Sequence, residues 1–250
     1  ALFAQALRTP RASLSDSNVL RVSVYKRAIN KALGWMSLGR QSLLLQEVYE
    51  KYSQYTMIPK KTYIRNLELA NRQQAVGGCV VECGVWKGGM IAGMADVLGE
   101  EREYILCDSF EGLPPAKSVD GPAAMAWQSN KEGSNYHNNC TASRADAEAA
   151  MRISKAKRLR YLQGWFDQTL PDFRPSEPIS LLRLDGDWYE STMLCLKHLV
   201  PHMAKNGIVV VDDYYTWDGC SRAVHDFLSA EKLPIRIRQW DNDVCFFAVI

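Results

Sequence analysis

After residue 75 the chain falls into short apolar runs, "GGCVVECG", "REYILCDSF", "RLRYLQGW", "PISLLRLDG" and "NGIVVVDDY", separated by helix-length segments such as "GGMIAGMADVLGE", "RADAEAAMRIS" and "YESTMLCLKHLV". Runs rich in Val, Ile and Leu that alternate with helical patterns predict a parallel sheet with crossover helices, because strands buried on both faces are apolar throughout. The end differs: "LPIRIRQW" and "VCFFAVI" flank "DND", a turn composition that predicts an antiparallel hairpin. The fold class is therefore α/β, a Rossmann-like and mostly parallel seven-stranded sheet closed by a C-terminal hairpin. Residues 1–75 read as an N-terminal helical segment of the same domain, serving as a cap or oligomer contact, and residues 76–250 as the ligand-binding domain. Within the helical segment, "SLLLQEVYEKYSQY" repeats apolar residues every three or four positions, and Pro59 suits the first turn of the helix that follows.

On such sheets ligands bind outside the carboxyl ends of the strands, at the switch point of strand order. Two acidic pairs fall at such ends. Asp185 and Asp187 follow the fourth strand, and Asp212 and Asp213 follow the fifth. Four carboxylates on one edge favour a hard divalent cation, since without one they would repel each other. Each pair alone is as consistent with a polar turn or a helix cap. Asp185 has its backbone fixed by the sheet, as suits a metal ligand; Asp187, past Gly186 on a freer loop, suits a base. Trp188, Tyr189, Tyr214, Tyr215 and Trp217 are placed to ring that edge, either stacking on an acceptor or packing the rim. His198 and His202 are four apart, but Pro201 lies between them, so they are read as structural.

The loop after the first strand, "VVECGVWKGGM", has Gly84, Gly88 and Gly89 at a strand-to-helix corner, with Trp86 at the second glycine position of a dinucleotide fingerprint. A Trp there obstructs a pyrophosphate at the helix N-terminus, which disfavours NAD and leaves room for an adenosine ligand without phosphates such as S-adenosylmethionine. Glu82 is placed to hold its ammonium group, and Asp108, at the end of the second strand, to accept from ribose hydroxyls.

Taken in order, "YTMIPKKTYIRNLELA", "VVECGVWKGGM", "CDSFEGLP", "LQGWFDQTLP", "LRLDGDWYEST" and "GIVVVDDY" resemble the macrocin O-methyltransferase family, metal-dependent enzymes that methylate sugar hydroxyls on antibiotics. The resemblance implies a class I methyltransferase fold, S-adenosylmethionine and Mg²⁺ as cofactors, a small hydroxylated acceptor and a homo-oligomer. It implies donor contacts from Glu82, Gly84, Gly88, Gly89, Asp108, Ser109, Gly164 and Phe166, with Met57 and Ile58 as a cover. The metal ligands fall on Asp185, Asp212 and Asp213, with Asp187 as base. Two stretches, residues 1–40 and "KSVDGPAAMAWQSNKEGSNYHNNCTAS", depart from the family pattern, and residues 111–140 read as a mobile lid or an ordered loop. A catechol-type O-methyltransferase and a non-catalytic scaffold domain are the alternatives.

Charge and cysteine usage limit the partners. Thirty basic against 28 acidic residues give a formal charge of +2 with no long single-sign block, which excludes a phosphate-tracking surface for nucleic acid. No apolar run reaches the roughly 18–20 residues of a membrane span, and cytoplasm is the expected location. The 7 cysteines include no CxxC and are read as reduced core thiols.

Overall fold

Seven strands form one sheet in the order β3-β2-β1-β4-β5-β7-β6 in the computed structural model, which describes residues 41–241 and 244–249. The strands are β1 (Cys79–Cys83), β2 (Glu103–Asp108), β3 (Arg158–Gln163), β4 (Ile179–Leu184), β5 (Met203–Val211), β6 (Arg238–Trp240) and β7 (Val244–Ala248). The first five are mutually parallel, and β7 enters antiparallel between β5 and β6. Every residue of β1 and of β4 is buried, which explains their lack of polar alternation.

The expected hairpin is present but shorter than its apolar run, since residues 233–237 stay outside β6. One compact unit spans Leu45–Ile250, so the helical residues 45–52 (α1) and helix α2 (Lys60–Arg72) belong with the sheet. Pro59 sits at the cap immediately before α2 rather than inside its first turn. Expectations for residues 1–40 lie outside the described residues.

Helices α3 (Gly89–Leu98) and α5 (Arg144–Arg152) pack with α1 and α2 on one face, and α7 (Tyr189–Leu199) and α8 (Asp218–Ala230) on the other. A short helix, α6 (Phe166–Thr169), follows β3. The segment without a clear period contains a helix of its own, α4 (Pro122–Ser129), with Pro122 in its first turn. No helix among the described residues is long and apolar enough to cross a membrane. Six of the seven cysteines are buried and all are free; Cys140 is half-buried. The order runs outward from β1 to β3 on one side and from β4 to β5 on the other. The switch point therefore lies between β1 and β4, where Glu82 and Arg183 are direct register partners.

Candidate active site

Beyond the carboxyl ends of the central strands is a cavity of about 450 Å³. Its construction starts at Gly84, whose φ of 82° is a left-handed conformation and whose missing side chain admits the Asp185 carbonyl; a Cβ would lie 1.7 Å from that oxygen. The β1 and β4 ends can thus close on each other, with Asp185 N–H donating to the Cys83 carbonyl at 2.8 Å. Asp108 organises the loop after β1. Its carboxylate accepts from the backbone N–H groups of Val85 (2.6 Å), Trp86 (3.0 Å) and Phe110 (2.7 Å). Burial raises its pKa while these donors oppose the rise. Trp86 lines the cavity with its backbone at φ 48°, and its buried indole N–H has no partner.

Of the residues expected around a methyl donor, Met57, Ile58, Glu82, Gly84, Asp108, Ser109, Gly164 and Phe166 line this cavity. Gly88 and Gly89 do not; Gly88 caps α3 in a left-handed conformation, and they shape the corner behind the wall. Glu82 is 1% exposed, with one oxygen 2.9 Å from Arg183 and the other without a hydrogen-bond partner. Burial pushes its pKa up to about 8, against the pull of Arg183.

Sequence reasoning missed Arg183. It stands mid-strand in a run that is otherwise apolar except for Ser180, and its fully buried guanidinium holds Glu82, Asp185 (2.8 Å) and Asp212 (2.6 Å) together. Asn66 of α2 approaches Arg183 Nε at 3.4 Å. The available signal was a charged residue within "ISLLRL" beside the Glu of "CVVEC": two buried charges on adjacent strands require pairing.

The acids divide differently from the expectation. Oxygens of Asp185, Asp187 and Asp213 lie within 4.8 Å of one another, whereas Asp212, expected in the ligand set, faces Arg183. Asp213 accepts from the Asp187 backbone N–H at 3.0 Å, and Trp217 Nε1 donates to Asp187 Oδ1 at 2.8 Å. Burial, then repulsion from neighbouring carboxylates, raises the pKa of Asp187 and of Asp213. Three converging carboxylates fit a hard divalent cation.

None of Trp188, Tyr189, Tyr214 and Tyr215 lines the cavity. Trp188 is 2% exposed and donates to the Pro114 carbonyl at 2.9 Å, Tyr189 reaches Asp226 and Tyr214 meets His225, while Tyr215 is exposed. Trp188 thus packs on α4, and Tyr189 and Tyr214 on α8. The segment over residues 111–140 contributes to the cavity wall through Gly112, Leu113 and Pro114, at the end of "CDSFEGLP", and through Cys140, in the stretch that departs from the family pattern. His137, Asn138, Asn139 and Cys140 are all left-handed. Asn139 bonds Leu113 through both backbone and side chain, and accepts from Gln128, which ties the return leg to the outgoing one.

The sheet order, the hairpin and the crevice define a class I methyltransferase fold. The chain belongs to the macrocin O-methyltransferase family, whose pattern it matches over residues 49–248. It is 37% identical over 181 residues to an 8-demethyl-8-(2,3-dimethoxy-α-L-rhamnosyl)-tetracenomycin-C 4'-O-methyltransferase of Streptomyces olivaceus, covering 69% of this chain and 66% of that protein. Identity is 32% with a demethyldecarbamoylnovobiocin O-methyltransferase of Streptomyces niveus, over 67% of this chain and 64% of the relative. These two matches span just under two thirds of the relatives' own length. The solved structure of the O-methyltransferase NovP aligns with a TM-score of 0.66 at 27% identity, over 78% of this chain and 81% of that one.

Proposed function

We propose that the chain is an S-adenosylmethionine-dependent O-methyltransferase that uses Mg²⁺ to methylate a hydroxyl of a glycosylated or polyketide-type metabolite. The observation that carries this reading is that one cavity joins the unpartnered oxygen of Glu82 and the loop-bound Asp108 to the converging carboxylates of Asp185, Asp187 and Asp213. The relatives named above, whose printed names describe natural-product O-methyltransferases, support the acceptor class.

In this reading Glu82 takes the donor's ammonium group, which supplies the positive charge its free oxygen lacks, and Asp108 accepts from the ribose while holding the loop. The donor brings the electrophilic methyl group. Asp185 and Asp213 would hold the metal, since Mg²⁺ is commonly held by one or two carboxylates. The chemistry such a cation would supply is Lewis-acid activation of the acceptor hydroxyl. Asp187 accepts the hydroxyl proton. Met57, Ile58 and Phe166 exclude water from the donor side, and Leu113 and Pro114 from the acceptor side.

The test combines two measurements. S-adenosylhomocysteine binding by calorimetry is expected with and without metal. Incubation with S-adenosylmethionine and a panel of the relatives' demethyl glycosides beside a catechol, with and without Mg²⁺, is expected to give a mass gain of one methylene on a glycoside and none in excess chelator. Absent donor binding would favour the scaffold alternative, and transfer to the catechol alone would move the acceptor class.

A further inference from the structure

We propose that Trp217 is a positioning residue for Asp187, and that the segment covering the cavity holds Trp217 in place through Trp127. The proposal rests on the reading of Asp187 as the proton acceptor.

Asp187 sits past Gly186 with φ 56°, a left-handed position, and its backbone N–H is fixed by Asp213. That leaves the side-chain torsions to be set. A carboxylate is planar, so fixing one oxygen fixes where the other points. The hydrogen bond from Trp217 Nε1 to Oδ1, at 2.8 Å, does this, and no described residue donates to the second oxygen. Trp217 is itself tied to the acids, because its backbone N–H donates to the Asp213 carbonyl at 3.0 Å.

The ring of Trp217 is held by two others. Trp217 and Trp188 meet edge to face at 5.4 Å, Trp217 and Trp127 at 5.9 Å, and Trp127 and Trp188 at 6.1 Å. The three indoles form a closed triangle in which every pair has the edge-to-face geometry that aromatic quadrupoles favour. Trp188 is anchored at the start of α7. Trp127 is carried on α4, in the covering segment, where its own N–H donates to the Asn135 carbonyl and its ring rests on Tyr136. The same segment docks on the acids' helices at a second point, where buried Asp120 accepts from the Tyr189 backbone N–H at 2.7 Å. Seating of the cover and aiming of Asp187 are therefore one event, and a cover lifted from α7 and α8 removes one side of the Trp217 socket.

Trp217→Phe keeps the aromatic packing and deletes the donor. With demethyldecarbamoylnovobiocin or 8-demethyl-8-(2,3-dimethoxy-α-L-rhamnosyl)-tetracenomycin C as the test acceptor, we expect kcat to fall about tenfold to a hundredfold, the range for a lost hydrogen bond to a charged group. Acceptor KM, S-adenosylhomocysteine affinity and Tm should stay near wild type. Trp240→Phe, which deletes an indole hydrogen bond to Glu68 far from the crevice, is the control with unchanged kcat. Trp127→Ala is expected to lower kcat and to raise acceptor KM as well. A readout independent of turnover is the ¹⁵N-indole resonance missing in Trp217→Phe: it should shift in Asp187→Asn and exchange faster with solvent in Trp127→Ala. A Trp217→Phe variant with wild-type kcat beside a slow Asp187→Asn overturns the positioning role alone, as does an indole resonance indifferent to both other variants. Asp187→Asn at full rate removes the proton-acceptor reading and this proposal with it.

Discussion

Arg183→Met tests the electrostatic construction of the crevice. The substitution keeps much of the side chain's volume but withdraws the one guanidinium that faces Glu82, Asp185 and Asp212 at 2.9, 2.8 and 2.6 Å. Breaking a buried pair by removing one partner costs about 3–5 kcal/mol. The three carboxylates do not each incur that cost. The Asp185 and Asp212 side chains are 28% and 17% exposed and can recruit water, whereas Glu82 at 1% cannot. Glu82 escapes part of the penalty by taking a proton, since burial already holds its pKa up at about 8. We therefore expect a loss near the lower bound, about 3 kcal/mol at neutral pH. At about 2–4 °C per kcal/mol for a chain of this size, that is a drop in Tm of roughly 6–12 °C. The assay is thermal and urea unfolding in chelator, with Glu82→Gln and the double variant completing a mutant cycle. The double variant should recover more than half of the loss, because it removes the stranded charge along with its partner. Arg183→Met melting within about 1 °C of wild type, or a double variant whose losses simply add, would refute the argument from a shared buried counter-ion.

Three other outcomes follow from the site. Asp213→Asn is expected to weaken Mg²⁺ binding by calorimetry at least tenfold, while Asp212→Asn and Asp187→Asn keep it within about threefold; Asp187→Asn should nevertheless turn over about 10²–10⁴-fold more slowly. Loss of metal in Asp212→Asn instead would restore Asp212 to the ligand set. Glu82 has a folded pKa raised from 4.5 to about 8, so its contribution to stability is full below about pH 4.5 and is lost as pH rises toward 8; metal-free protein should melt lower at pH 8 than at pH 5.5, and an increase would contradict the sign. Asp108→Ala removes the acceptor of three backbone N–H groups, so S-adenosylhomocysteine affinity should fall by more than the roughly 1.5–3 kcal/mol of a single charged contact, with faster amide exchange at Val85, Trp86 and Phe110. Unchanged affinity would remove Asp108 from the donor site.

Strands were legible because parallel pairing buries both faces, so "CVVEC" and "ISLLRL" announce themselves by composition. That Glu82, Asp108 and Asp185 would line one crevice was legible for a related reason: an acid at the end of an apolar run is costly unless the end opens on a cavity. What sequence could not supply was pairing across distance. The pairing of Arg183 with Glu82, Asp185 and Asp212 depends on which strands become neighbours. Trp188 and Tyr189 were assigned to the crevice from proximity in the chain, but side chains at a strand-to-helix corner leave in different directions. Helix α4 was hidden because "PAAMAWQS" is too short to establish a period and is held by Trp127 and Gln128 contacts made outside it.

The position of β4 between β1 and β5 bears on the order in which the chain can assemble. During synthesis β1, β2 and β3 are complete before β4 exists, and Glu82 and Arg183 are 101 residues apart. Until β4 arrives, β1 is a sheet edge with its hydrogen-bonding groups on that side unpaired and an acid near its carboxyl end, which Arg183 neutralises only on insertion. Closing so long a separation is slow, and an exposed edge in the interval invites pairing with another chain. A charge on an open edge discourages intermolecular strand addition, and Glu82 is the charge that β1 carries until β4 pairs with it. The residue assigned to the methyl donor in the finished molecule would first serve to keep unfinished ones apart.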